Sequence, residues 1–232
     1  MHYKTSFTCC LNLLSLIIYA QQGFVENSKM NTVTVYDANG KAFVNPLIDI
    51  EGSPFFIDQW KYATVKLNDS TSQSDVPVKL NLYSEKVHFL SGNNELTFIP
   101  GFVKEFIFID SSAGEIKSYT FRNGFPSINK QNGNSYYLIL SDGKFKYIEY
   151  MYRKVDESKN PISGEIKKKL VSYEEYYFFN AGSLTLIKRN KSFLLDQMSD
   201  KKDAIEKFIV DNKISCKDPD KIKLVIDYYN SL

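Results

Sequence analysis

The sequence predicts a mainly β protein that ends in two or three helices, and three observations carry that expectation. Phe and Tyr are abundant, at 17 and 16 residues, whereas Gly and Pro number only 11 and 7. That balance suits pleated, half-buried surfaces and argues against a disordered chain. Short apolar runs separated by turn residues recur from residue 31 to residue 188. From residue 191 to residue 232 the apolar period lengthens to that of a helix. The strands are expected to form an antiparallel hairpin meander, a curved sheet or open barrel with the helices packed on it. A two-layer β-sandwich is the alternative.

The first expected strand, Thr32 to Tyr36, runs into the turn signal Asp37-Ala38-Asn39-Gly40. Tyr62 to Leu67 and Val78 to Tyr83 flank a polar loop, Asn68 to Asp75. In the second of these strands Val78, Leu80 and Leu82 alternate with Lys79 and Asn81, the pattern of a strand with one wet face. Lys86 to Leu90 follows as a tight hairpin, then Glu95 to Ile99 after Ser91-Gly92-Asn93-Asn94. Phe106-Ile107-Phe108-Ile109 is apolar at every position and reads as a central strand covered on both sides.

Two similar hairpins follow. Tyr136 to Leu140 turns at Ser141-Asp142-Gly143 into Phe145 to Ile148, and Tyr176 to Phe179 turns at Asn180-Ala181-Gly182 into Leu184 to Ile187. A loop around Ser158 to Gly164 joins them. Phe193-Leu194-Leu195 begins a short helix. Asp200 is expected to cap a helix carrying Ala204, Ile205, Phe208 and Ile209 on one face. Asp218-Pro219 caps another, with Ile222, Val225, Ile226 and Tyr229 on its stripe.

The chain has 232 residues, of which residues 1–20 read as a secretory signal peptide, leaving residues 21–232 as a single β-rich domain. Lys4 gives a short basic front, Phe7 to Tyr19 is an apolar run, and Ala20 precedes the expected cleavage point before Gln21. The run is shorter than the ~20 apolar residues of a spanning helix, so no transmembrane span is expected in the mature chain. A net charge of +2 is too small to suggest a nucleic-acid footprint, so no nucleic-acid partner is expected.

Candidate chemistry is sparse. With Cys9 and Cys10 in the apolar run, Cys216 is left as a lone thiol, read as a small residue between helices rather than a nucleophile. His88 shares a face with Lys86 and reads as a surface histidine. These residues supply no zinc set, and the sequence lacks calcium-loop, phosphate-loop and Gly-x-Ser-x-Gly patterns. No catalytic, cofactor or metal residues are assigned, and the chain reads as a binding protein rather than an enzyme.

Two features keep alternatives open. Asp49, Glu51 and Asp58 stand close in sequence to Trp60, the only tryptophan, as in a carbohydrate site, or simply as a loop entering a strand. Tyr147, Tyr150, Tyr152, Tyr173, Tyr176 and Tyr177 either line a cavity for an apolar small molecule or fill a core.

The Ala20-Gln21 junction, Gly52-Ser53-Pro54-Phe55 ahead of Trp60, the Val78–Tyr83 strand and the closing Tyr228-Tyr229-Asn230-Ser231-Leu232 carry a resemblance. The layout resembles uncharacterised exported β-rich proteins of Bacteroidota, which have no known activity. The resemblance implies export to the periplasm or outer envelope. The leading expectation is therefore a non-catalytic envelope protein that binds another protein or a surface component, with exposed-edge hairpins as the means. A small-molecule carrier and a carbohydrate-active protein are the alternatives.

Overall fold

The computed structural model describes residues 49–232 except Ala113, and before them the backbone of three short strands. Those strands are β1 (Val25–Glu26), β2 (Thr34–Tyr36) and β3 (Ala42–Phe43), paired antiparallel in the order β1-β2-β3. They belong to a unit ending at Ile48, and residues 49–232 form a second unit. The expected signal segment, its Ala20–Gln21 junction and the Asp37–Gly40 turn lie outside the described residues.

In the second unit β4 (Ile50–Glu51), β5 (Lys61–Leu67), β6 (Ser72–Asn81), β7 (Lys86–Ser91) and β8 (Asn94–Thr97) come first. Then follow β9 (Val103–Asp110), β10 (Lys117–Arg122), β11 (Tyr137–Asp142), β12 (Lys146–Lys159), β13 (Ile166–Asn180) and β14 (Ser183–Leu186). All eleven belong to one open sheet, ordered β14-β13-β12-β11-β10-β9-β5-β6-β7-β8, with β4 added parallel to β13. Every other pairing is antiparallel. The curved-sheet expectation holds, and the alternative of two facing sheets does not.

Curvature follows from one hydrogen bond. Five strand steps separate β12 from β6, about 24 Å in a flat sheet at ~4.8 Å per step. Yet the Arg153 N–H on β12 donates to the Leu82 carbonyl, just past β6, at 3.0 Å. Register shifts between Ile139 and Ser141, Ala63 and Val65, and Lys66 and Leu67 supply the local bending. The segment after β4 helps bind the two sides. Phe56 N–H donates to the Leu80 carbonyl and Leu82 N–H to the Pro54 carbonyl, both at 2.8 Å.

The inner face carries Ala63, Val65, Val78, Leu80, Phe106, Phe108, Phe121 and Leu138, with Phe56 packed among Phe108, Tyr119 and Phe121. Leu140 links this cluster to a second one beneath the helices. Helices α1 (Lys191–Gln197), α2 (Lys202–Asp211) and α3 (Pro219–Ser231) bury Leu194, Leu195, Ile205, Ile209, Ile222, Val225 and Ile226 against Phe145, Tyr147, Tyr176 and Phe178. Asp218 caps α3 by accepting from the Asp220 N–H, with Pro219 in the first turn.

Several expectations are corrected. Asp200 caps nothing: it lies in a 3-10 turn, Ser199–Lys201, and its carboxylate accepts from the Tyr229 hydroxyl at 2.9 Å. The cap that sequence reasoning overlooked is Asn190, whose Oδ1 accepts from the Phe193 N–H. The loop assigned to Asn68–Asp75 is strand from Ser72 onward, because main-chain pairing with β5 continues beyond the apolar residues. Asn81 is buried rather than wet, its Oδ1 accepting from the N–H groups of Tyr83 and Ser84. The segment 106–109 is covered on one face only: Phe106 and Phe108 are buried, while Ile107 and Ile109 are 37% and 63% exposed.

β12 and β13 form one long hairpin, so the expected loop begins only after Lys159. β10 (Lys117–Arg122) lies outside the strands expected from the sequence. Its inner-face residues Tyr119 and Phe121 alternate with polar residues, a weak signal in a short strand.

Candidate functional site

Strand alternation splits the six tyrosines between opposite faces. Tyr147 and Tyr176 point under the helices. Tyr150 and Tyr177 fall on the other face with Tyr152 and Tyr173, packed in part beneath Phe125. Tyr147, Tyr150, Tyr176 and Tyr177 are buried in filled clusters. The aromatic content is chiefly core.

At the edge of the second face lies a half-open cleft of about 330 Å³, at the lower end of small-molecule sites. Two tight turns form its walls. One joins β6 to β7 and brings in Leu82, Tyr83 and Glu85. The other is closed by reciprocal Ile128–Gln131 backbone hydrogen bonds and brings in Asn129, Lys130 and Gln131. Tyr150, Tyr152, Arg153 and Lys154 of β12 and Glu175 of β13 complete it.

Glu175 organises the floor. Its Oε2 accepts from Gln131 Nε2 at 3.0 Å and from the Tyr177 hydroxyl at 2.5 Å. Its Oε1 accepts a longer bond from the Tyr152 hydroxyl, at 3.4 Å. Gln131 is only 4% exposed, and while its Nε2 is engaged, its Oε1 has no hydrogen-bond partner among the described residues. Arg153 Nε is likewise buried and unpartnered. A buried polar atom without a partner costs about 1–3 kcal/mol, so Gln131 Oε1 marks unmet bonding capacity beside the cleft, whereas the Arg153 side chain lies on the opposite face of β12, toward Asp58.

Glu85 stands on the opposite wall. Its backbone is left-handed, with φ of 55°, a conformation that costs a non-glycine residue roughly 1–2 kcal/mol. Its Oε2 accepts from the Ser135 hydroxyl at 3.0 Å. It also borders a second cleft of about 270 Å³ containing Ser135 and Tyr136. Burial, followed by the negative charges of Glu85 and Glu175, pushes the Tyr137 hydroxyl well above the usual tyrosine range. Burial and Glu85 do the same to Tyr150. Both stay protonated and uncharged. Burial pulls the Arg153 pKa down, and the charge of Asp58 opposes it.

The residues singled out in the sequence lie elsewhere. Asp58 pairs with Lys79 Nζ at 3.1 Å, and hydrogen bonds from Ser53 and Lys79 hold its carboxyl below the usual range. The same ammonium stands 4.8 Å from the Phe55 ring centre and 4.9 Å from that of Trp60. Asp49 is exposed, and Glu51 lies in β4 opposite Lys169 of β13. None of these four lines the cleft.

His88 is not a free surface residue. Phe55 packs edge-on against it, and its Nδ1 lies 2.6 Å from Glu95 Oε1. Cys216 is buried at the α2–α3 connection, where burial pushes its thiol up and away from reactivity. Among the described residues no His, Cys, Asp or Glu group is arranged to hold a metal, and no helix is long and apolar enough to cross a membrane.

Sequence reasoning reached Tyr150, Tyr152 and Tyr177 but missed Glu85, Gln131, Arg153 and Glu175. Their only local signal is polarity inside or beside strands, and the sheet's curl brings them together. Comparisons with protein-family models, with curated proteins and with solved structures find no significant match to this chain.

Proposed function

We propose that the chain is an exported, non-catalytic envelope protein that binds a small polar molecule or surface component in the cleft between Glu85 and Glu175. The observation that carries the binding role is Gln131, a buried amide whose Nε2 is held by Glu175 and whose Oε1 is left without a partner among the described residues. Supporting it, two ordered turns and the β12–β13 ladder form the walls, so the site is organised before a ligand arrives. The basic front, apolar run and Ala20–Gln21 junction support export, as does the resemblance to exported Bacteroidota proteins.

Intact mass of the chain recovered after export from a bacterial host tests location. A mass beginning at Gln21 is expected, and one that retains Met1–Ala20 contradicts it. Thermal melts against sugars, amino acids, polyamines and phosphates test binding. At least one class should raise the wild-type midpoint and leave Gln131→Leu unmoved. A panel in which no compound distinguishes the two chains removes the cleft as the binding site.

A further inference from the structure

A second groove, half-open and about 350 Å³ in volume, is lined by Phe56, Leu82, Met151, Arg153, Ser172 and Glu174. Strand alternation puts the Arg153 side chain on the same face of β12 as Met151, opposite Ser172 of β13. The Arg153 N–H is given to Leu82, so the main-chain groups of Arg153 and Ser172 do not bond each other. In such pairs the facing side chains stand closest. The Nε of Arg153 is buried without a partner, and no ion pair or side-chain hydrogen bond engages the rest of its guanidinium among the described residues. The charge of Asp58 reaches it, but that carboxylate is already engaged by Ser53 and by Lys79 at 3.1 Å. Glu174 faces Arg189 instead, at 3.9 Å. A half-buried charge without a partner is costly, so the guanidinium marks a place for an anion.

The walls narrow the choice of anion. A guanidinium fork matches carboxylate and phosphate alike. A phosphate dianion meets Asp58 and Glu174, whereas a monoanion is repelled about half as strongly. Phe56, Leu82 and Met151 supply an apolar wall, and the Ser172 hydroxyl supplies a further donor beside Arg153. We propose that this groove binds a monocarboxylate with an apolar tail, its carboxylate on Arg153 and Ser172 and its tail along Phe56, Leu82 and Met151. The site is separate from the Glu85–Glu175 cleft, which opens on the other face of β12. A free aliphatic acid and the C-terminus of a peptide ending in an apolar residue share this chemistry.

The test is calorimetric titration of the full chain at neutral pH with octanoate and with an acetylated tripeptide ending in leucine. Octanol, octylamine and inorganic phosphate are the comparison probes. Octanoate or the peptide is expected to saturate, and whichever does so identifies the source of the carboxylate. Its affinity should fall about tenfold or more in Arg153→Met, about threefold in Ser172→Ala, and stay unchanged in Gln131→Leu. Arg153→Met keeps the main-chain bond to Leu82 that holds the curl. Ser172 is exposed, so Ser172→Ala keeps the proposal testable if Arg153→Met folds poorly. Failure of both carboxylates to saturate overturns the proposal, as does an affinity unchanged in Arg153→Met and Ser172→Ala. Octanol or octylamine binding as tightly as octanoate overturns the carboxylate, and tighter binding of phosphate overturns the apolar tail. A loss in Gln131→Leu equal to that in Arg153→Met places the ligand in the other cleft and overturns this groove.

Discussion

The side chain of Asn230, near the end of α3, pairs with the backbone of Phe145 in both directions. Phe145 N–H donates to Asn230 Oδ1 at 3.0 Å, and Asn230 Nδ2 donates to the Phe145 carbonyl at 2.8 Å. The same Nδ2 reaches Ser141 Oγ at 3.3 Å. One carboxamide thus continues the pairing of the β11–β12 turn and ties the last helix to it. Asn230→Ala leaves both Phe145 groups without that partner and should cost about 1–3 kcal/mol in chemical denaturation. Gly143→Ala should be comparably damaging, because a Cβ there would stand 2.3 Å from the Asn230 side chain. Near-wild-type stability in both variants would mean the lock contributes little.

Helices α2 and α3 should therefore be integral to the fold. Ile205, Ile209, Ile222, Val225 and Ile226 are all buried, and each is worth roughly 1.5–3 kcal/mol. A chain ending at Ser199 should lose its cooperative thermal transition. Ile226→Asp, which forces a carboxylate into a fully buried position, should cost more than about 4 kcal/mol. A melt of the truncated chain close to the full-length one would make the helices an appendage.

The two isoleucines of β9 should behave unlike its phenylalanines. Ile109→Lys, on the open face, should change stability by less than about 0.5 kcal/mol, whereas Phe108→Ala should cost about 3–5 kcal/mol. Equal losses at both positions would show that something covers the Ile107–Ile109 face.

Glu149 makes stability depend on pH. It is 8% exposed, and burial, reinforced by the charge of Glu174, lifts its carboxyl to about 7. The folded chain then holds that proton more tightly than the unfolded chain, whose glutamates titrate near ~4.3. Its contribution is most favourable below that value and is lost as pH rises toward 7. Glu149→Gln should raise stability at pH 8 by about 1–3 kcal/mol and flatten the slope between pH 5 and 7. An unchanged slope would place the titration elsewhere.

What the sequence reveals and conceals has a physical pattern. Val78 and Leu80 announce their strand because one face is buried, although it ends at Asn81 before Leu82, and Asp218-Pro219 announces α3 because a cap and a fixed φ are local properties. The outer halves of β12 and β13 do not. Asp156, Glu157 and Lys167 to Lys169 are held in strand by main-chain pairing, which no side-chain period records. Phe106 to Ile109 shows the opposite error, since an apolar run does not say which of its faces is covered. The cleft is the extreme case. Glu85, Gln131 and Glu175 are distant in sequence, and only the curl reported by the Arg153–Leu82 hydrogen bond makes them neighbours.

Amide chemical-shift mapping during titration with the compound that raises the wild-type melting midpoint tests the central claim most directly. The account predicts shifts concentrated at Leu82–Glu85, Asn129–Gln131 and Tyr152–Lys154, and their loss in Gln131→Leu. Shifts centred instead on Asp58–Trp60 or on the exposed Ile107–Ile109 face would contradict it.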